Sequence, residues 1–376
     1  MTQIPRRCVV KIGTSVLTGG TDRLNRPFLV ELAQQIARLR EHNNELLLVS
    51  SGAIAAGWER MGFPPRRQRN KLATISFKQV LAAVGQSRLM HLYEQIFDIY
   101  GLHVAQALLT GGDLHDRRRY LNARNTLVHC LDCGIIPIIN ENDAVATNEM
   151  RVGDNDTLSA LVSNLVDADL LILLTDIAGL YTADPRHDPH ATIIHTVDCI
   201  DEHIWEIAGQ SGTHRGTGGM RTKINAADLA TRSGTEVVIA SGFEPNIISR
   251  ILMGEQVGTR FLTNVSNLES RKRWLLAETV LHSRIVVDDG AAHALLTQGK
   301  SLLPAGIISV EGDFDRGQTV RIYQLDGHEI ARGLTQYRAS DLHLIKGVHS
   351  SHIAERLGYV YEPEVVHRDD MVMVFS

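Results

Sequence analysis

The chain has 376 residues, of which 44% are hydrophobic and 22% charged, a composition that allows a well-buried core and excludes a disordered chain. With 38 basic and 43 acidic residues the formal net charge is -5, which excludes a global field drawing the protein to nucleic acid or an anionic membrane; any anion must be held locally. Four cysteines are too few for a disulfide framework, and no apolar run reaches the ~20 residues that span a bilayer, so the expectation is a cytoplasmic protein in a reducing compartment.

The first predicted strand is "RCVVKIG", with Lys11 near its end and Gly13, Thr14 and Ser15 in the turn that follows. A helix comes next, because "RPFLVELAQQIARLREH" carries apolar residues three and four apart. The strand "ELLLVSS" then runs into "SSGAIAAG", where Ser51 is either a plain helix cap or part of a ligand site. A long helical pattern, "FKQVLAAVGQSRLMHLYEQIFDIYG", leads to the strand "LHVAQALL". Cys130 and Cys133 in "HCLDC" have the spacing of half a zinc site, but no second pair follows and the run is helical, so buried thiols are expected and no metal site.

After the strand "IIPIIN" the chain enters "NENDAVATNEMRVGDND", residues 140–156, with five carboxylates and four asparagines. Such a density of hydrogen-bonding groups beside an apolar strand suits a small polar molecule bearing an ammonium group, or a metal bound to nucleotide, against the plainer reading of a solvated acidic loop. Asp143 and Asn155 are the candidate ammonium acceptors, and Asp154 or Asp156 could orient lysines. The strand "DLLILLT" follows, then the glycine-rich "GTGGMRTK", then the strand "TEVVIA". The glycine-rich stretch fails the phosphate-loop pattern G-x-x-x-x-G-K-[ST], because Lys223 follows Thr222 and precedes Ile224. Its glycines still permit a mobile turn, and Lys223 falls in the first turn of a helix expected to begin near Met220.

Several strand candidates are apolar throughout, which indicates a sheet covered on both faces. The expected fold is an α/β sandwich, three layers with a mainly parallel sheet, over residues 1–256. A polar stretch over 257–280, containing "VSNLESRKRWLLAET", reads as a linker. A small, mostly β domain covers 281–360, with a hairpin signalled by "LDGHE", and residues 361–376 form a tail.

Two lysines beside anion-binding turns, without a Ser-His-Asp set or a nucleophilic cysteine signature, favour phosphoryl transfer over acyl hydrolysis. Taken in order, "VVKIGTSVLTGG", "SSGAIAAG", "INENDAVAT", "VGDNDTLSA", "LLTDIAGLYTADPR" and "GTGGMRTK" resemble the amino acid kinase family. Within it they resemble the members that phosphorylate free glutamate. "DDGAAHALLTQGKSLLPAGIISVEGDFDRG" is similar to the PUA domain that follows the kinase domain in bacterial members.

The resemblance implies ATP-dependent phosphorylation of the side-chain carboxylate of L-glutamate to L-glutamate 5-phosphate, the first step of proline biosynthesis. It implies catalytic roles for Lys11, Lys223 and Asp156, with Asp154 as the rival of Asp156. It implies ATP binding by Lys11, Thr175, Asp176, Thr217, Gly218, Gly219, Met220, Arg221, Thr222 and Lys223, and substrate binding by Ser51, Asp143 and Asn155. Mg2+ with ATP, proline as a feedback inhibitor and a homo-oligomer are implied as well. Departures from the family pattern at Gly111 and Gly112, and at Ser76 and Phe77, leave catalysis intact and put proline sensitivity in question. The nearest rival is a kinase of the same family acting on aspartate, carbamate, acetylglutamate or a nucleotide. RNA binding through the last domain is not expected, because residues 281–360 hold eight Lys or Arg against nine Asp or Glu.

Overall fold

The computed structural model describes residues 7–62, 74–146, 152, 154–210, 219–263 and 283–374. The chain divides into two compact units, one of Met1–His115 with Ala123–Asn267 and one of Asp116–Asn122 with Leu268–Ser376.

In chain order the first region runs β1 (Arg7–Ile12), α1 (Thr14–Thr18), α2 (Arg26–Glu41), β2 (Glu45–Ser50), α3 (Ala53–Met61), α4 (Ile75–Asp98), β3 (Val104–Leu109), α5 (Gly111–His115), α6 (Arg117–Asp132) and β4 (Ile136–Glu141). It continues with α7 (Asn155–Leu165), β5 (Leu170–Thr175), β6 (Thr196–Val197), α8 (Glu202–Gln210), α9 (Met220–Arg232), β7 (Glu236–Ser241), α10 (Ile247–Leu252) and β8 (Thr259–Phe261). The eight strands form one sheet in the order β3-β4-β2-β1-β5-β7-β8-β6. Every described pairing is parallel except β7 with β8. All six strand candidates of the sequence are present. The short β6 and β8 were not foreseen, since two and three residues are too few to carry a periodicity. β8 takes the sheet past residue 256 into the segment read as a linker.

The apolar strands are buried on both faces. Cys8, Val10 and Ile12 of β1 join a core with Leu29, Leu32 and Ile36 of α2, Leu89 and Tyr93 of α4, and Ile247 and Ile251 of α10. Because side chains alternate along a strand, Val9 and Lys11 point to the opposite face, where α7 packs on β1 and α9 packs on α7. One strand thus supplies apolar core to one layer and an ammonium to the other. α2 starts cleanly because Asn25 accepts a hydrogen bond from the Phe28 amide at 3.3 Å and a proline stands in the first turn.

α3 and α4 pack backbone against backbone. A side chain at Gly85 would run into the carbonyl of Ala53, and one at Gly57 into that of Leu81, so glycine is required at both positions. This contact anchors the start of α3, two residues after Ser51. Phe77, one of the departures noted above, stands edge-on to Trp58 with centroids 5.6 Å apart and rings at 66°.

The second unit contains a five-stranded sheet in the order β10-β9-β11-β12-β13, with β9 (Arg284–Val287), β10 (Ile307–Glu311), β11 (Thr319–Tyr323), β12 (Glu329–Leu334) and β13 (Met371–Met373). β9 and β11 are parallel and the other pairs antiparallel. The predicted Asp326-Gly327 turn joins β11 to β12, with Gly327 at φ +87°. β13 brings part of the expected tail into this sheet. The basic stretch of the predicted linker lies outside the described residues.

Candidate active site

β1 and β5 are neighbours at the centre of the first sheet, yet the strands that follow β1 build out to one side and β7 lies beyond β5 on the other. The connections leaving β1 and β5 therefore part, and in open parallel sheets the carboxyl ends of the strands at such a switch point are where a ligand crevice forms. Lys11 stands at the end of β1 and Thr175 at the end of β5. Lys11 reaches over the glycine turn: a Cβ placed on Gly13 would lie 3.5 Å from its Nζ.

Two helices bring the rest of a charged cluster to Lys11. Asp154 caps α7, accepting from the Thr157 amide at 2.8 Å, and this leaves Asp156 in the first turn facing inward. α9 begins at Met220 after Gly219, which caps it without a side chain, so Lys223 also falls in a first turn. The Asp156 carboxylate lies between the two lysines, Oδ1 at 2.6 Å from Lys11 Nζ and Oδ2 at 3.1 Å from Lys223 Nζ. The Thr222 hydroxyl donates to Oδ2 at 2.8 Å. Exposures of 6% for Lys11, 1% for Asp156 and 5% for Lys223 make this a buried cluster with a formal net charge of one positive unit.

The protonation balance follows from that count. Burial works against the charged form of Asp156, but two ammonium groups outweigh it and hold the carboxyl at about 2. At Lys11 burial dominates and lowers the ammonium pKa below its ordinary value, because the single carboxylate opposite it is shared with Lys223. The carboxyl of Asp154, by contrast, is pushed up by burial and spends its oxygens on the helix cap. Of the two rivals, Asp156 alone contacts both lysines.

A second, neutral cluster stands beside the first. The helix cap of α3 is Gly52, at φ +96°, and not Ser51. The Ser51 hydroxyl instead accepts from Asn155 Nδ2 at 2.9 Å. The same nitrogen donates to Asn140 Oδ1 at 2.9 Å, and Asn140 Nδ2 donates to Gln86 Oε1 at 2.9 Å. A cavity of about 490 Å3 opens between α4 and the turn after β4, lined by Ala53, Gln86, Glu141, Asn142 and Asp143. Asp143 lines this cavity, whereas Ser51, Asn155 and the two lysines do not.

Of the remaining predicted residues, Thr175 is buried and its hydroxyl donates to the exposed Asp176 at 3.1 Å. Gly219, Met220, Arg221, Thr222 and Lys223 open α9, with Arg221 exposed. Thr217 and Gly218 lie outside the described residues. Cys130 is partly buried, which pushes its thiol pKa up, and Cys133 is exposed. Among the described residues no group of three or more His, Cys, Asp or Glu could hold a metal ion.

The sequence reading missed three contributions. Asn140 ends an apolar strand and Gln86 occupies a buried helix position among Leu81, Ala82 and Leu89, so a polar residue on an apolar stripe was the signal in both cases. Thr222 was expected on ATP, whereas its contact with Asp156 depends on how two helices meet and has no local signature.

Residues 6–241 match the amino acid kinase family and residues 283–357 the PUA domain. The chain is 62% identical over 366 residues to a protein named glutamate 5-kinase from Herpetosiphon aurantiacus, covering 97% of this chain and 98% of that protein. It is 57% identical over 368 residues to a glutamate 5-kinase from Deinococcus radiodurans, covering 98% and 100%. Among solved structures, a carbamate kinase from Giardia lamblia bound to AMP-PNP superimposes with a TM-score of 0.50 at 15% identity, over 70% of this chain and 100% of that one, a likeness of fold. Among the described residues no helix is long and apolar enough to cross a membrane.

Proposed function

The chain belongs to the amino acid kinase family, a family of phosphotransferases, and from that premise we propose that it transfers the terminal phosphoryl group of ATP to the side-chain carboxylate of L-glutamate. The product is L-glutamate 5-phosphate, the first intermediate of proline biosynthesis. The observation that carries this reading is the buried Lys11–Asp156–Lys223 cluster at the central crevice.

A carboxylate attacking a polyphosphate brings two anions together, so the site must supply positive charge and alignment. The cluster has one positive charge in excess, which an anionic phosphoryl group would balance. Lys11, over the glycine turn, is assigned to the transferring group. Lys223 and the open amides at the start of α9 are assigned to the nucleotide phosphates. Asp156 is assigned to hold both ammonium groups apart and aimed. Thr175 and Asp176, with Gly219 to Thr222 and the undescribed Thr217 and Gly218, are assigned to ATP. No general base is required, since a glutamate side chain is already ionised at neutral pH.

Asp156 has both oxygens engaged by lysines and Asp154 is spent on its helix cap. Magnesium is therefore proposed to arrive on ATP, held by phosphate oxygens and water, where it would neutralise part of the phosphate charge. Ser51, Asp143 and Asn155 are assigned to the amino acid, and the acceptor oxygens of the last two suit an α-ammonium group, which an N-acetylated substrate lacks. A homo-oligomer, a cytoplasmic location and inhibition by proline complete the proposal.

The test is ATP consumption that depends on L-glutamate and yields an acyl phosphate trapped by hydroxylamine, measured with and without proline. Faster turnover of aspartate, carbamate or N-acetylglutamate would overturn the assignment.

A further inference from the structure

Gln86 is a buried polar side chain that neither the lysine cluster nor the proposed substrate contacts account for. It is 9% exposed, on a stripe of α4 that otherwise holds Leu81, Ala82, Gly85 and Leu89. We propose that Gln86 is a positioning residue which, through Asn140, keeps the Asn155 amide turned so that its carbonyl oxygen accepts the α-ammonium group of the substrate. The inference rests on L-glutamate being that substrate.

The orientation of each amide follows from one fixed donor. The backbone N–H of Glu141 can only donate, and it lies 2.9 Å from the side chain of Asn140, so the atom there is Oδ1. Asn140 Nδ2 then faces Gln86, whose atom at 2.9 Å must be the acceptor Oε1. On the other side, the atom of Asn155 that approaches Asn140 Oδ1 at 2.9 Å must be the donor Nδ2. The second hydrogen of that nitrogen goes to Ser51 Oγ at 2.9 Å. Both hydrogens of Asn155 Nδ2 are used, and its Oδ1 is left buried with no partner among the described residues.

A buried acceptor without a donor is costly, on the order of 1–3 kcal/mol, and a ligand N–H would relieve that cost. The group it selects is a donor: an ammonium is welcomed, while a carboxylate or phosphate oxygen is repelled by the carbonyl. Among the described residues Gln86 supplies the one bond to Asn140 Nδ2. Remove that acceptor and the present orientation of Asn140 is weakened, and with it the direction of the Asn155 carbonyl two links away. Gln86 lines the cavity beside Asp143, and through its bond to Asn140 Nδ2 it serves as a support for a group that meets the substrate.

The experiment compares Gln86→Met with Gln86→Glu. Methionine has nearly the same length and no comparable acceptor, whereas a glutamate carboxylate can still accept from Asn140 Nδ2. For each variant kcat/KM for L-glutamate, KM for ATP and the inhibition constant of glutarate are measured; glutarate has the same two carboxylates and no ammonium. Gln86→Met is expected to lower kcat/KM for L-glutamate roughly tenfold, the scale of one hydrogen bond to a charged group, through KM, with glutarate binding and the ATP KM changed less than about twofold. Gln86→Glu is expected to keep the preference for L-glutamate. Equal losses for glutamate and glutarate, no loss in Gln86→Met, or a loss in Gln86→Glu as large as in Gln86→Met would each overturn the proposal. A wild-type enzyme that does not prefer L-glutamate to glutarate would overturn the functional reading itself, and this inference with it.

Discussion

At the start of α7 Lys11, Asp156 and Lys223 crowd three charges into a space that water scarcely reaches; beside them Gln86 and Asn140, both buried, and Asn155 and Ser51, both partly exposed, form a neutral chain. The two are built alike, each joining a strand end to the first turn of α7, but they control different quantities. Buried charges act at full strength only while each has its counterpart, so the charged side can supply transition-state stabilisation and is fragile. Neutral amides supply little charge, but their donors and acceptors have a direction, so that side can select which end of a ligand faces it.

If this contrast holds, the largest effect belongs to Asp156→Asn. The substitution leaves two buried ammonium groups facing an uncharged amide, and breaking a buried pair this way costs about 3–5 kcal/mol. Urea unfolding of the variant should register a loss of that size; a loss below about 1 kcal/mol would mean the cluster is less tightly coupled than its distances say. Next come Lys11→Ala and Lys223→Ala, each expected to lower kcat by about 10²–10³, the scale for removing one charge stabiliser from a transition state. Either variant turning over near the normal rate would remove that lysine from the proposed mechanism.

Acid should reveal the same cluster more gently. The carboxyl of Asp156 is held at about 2, against an ordinary value of 3.8, so the folded state binds its proton more weakly than the unfolded chain does. Its stabilisation is therefore complete above about pH 4 and disappears as pH falls through about 2, a difference on the order of 2–3 kcal/mol. The wild-type advantage over Asp156→Asn should shrink across that window. An advantage unchanged down to pH 2 would show that the carboxylate is not held by the lysines in this way. The neutral side has no counterpart to this titration.

The sequence made the charged side easier to read than the neutral one. Lys11 beside Gly13, and Lys223 after a run of glycines, stand out because lysine at a strand end or a helix start has few structural uses. The strands were legible for a similar reason: "RCVVKIG" and "DLLILLT" are too uniformly apolar for a half-exposed surface. The choice between Asp154 and Asp156 was not legible, since both are acidic and two residues apart; only the cap to Thr157 and the meeting of α7 with α9 separate them. Ser51 could not be told from a helix cap until Gly52 proved to occupy that place. Gln86 is 69 residues from Asn155 in the chain, and what joins them is Asn140, so no local pattern records the link.

Ser51→Ala gives the smallest expected effect and the finest test of the neutral side. The Ser51 hydroxyl accepts one of the two hydrogens on Asn155 Nδ2, and alanine removes that acceptor while Asn140 keeps the other. The amide should therefore hold its orientation but lose stiffness, a cost near that of one neutral hydrogen bond, about 0.5–1.5 kcal/mol. KM for L-glutamate should rise roughly 2- to 13-fold, with kcat and the ATP KM little changed. A fall in kcat on the scale of the lysine variants would place Ser51 with the charged groups instead, on the reacting carboxylate. The hydroxyl would then be stabilising charge in the transition state, and the division between a side that supplies charge and a side that supplies direction would fail at this residue.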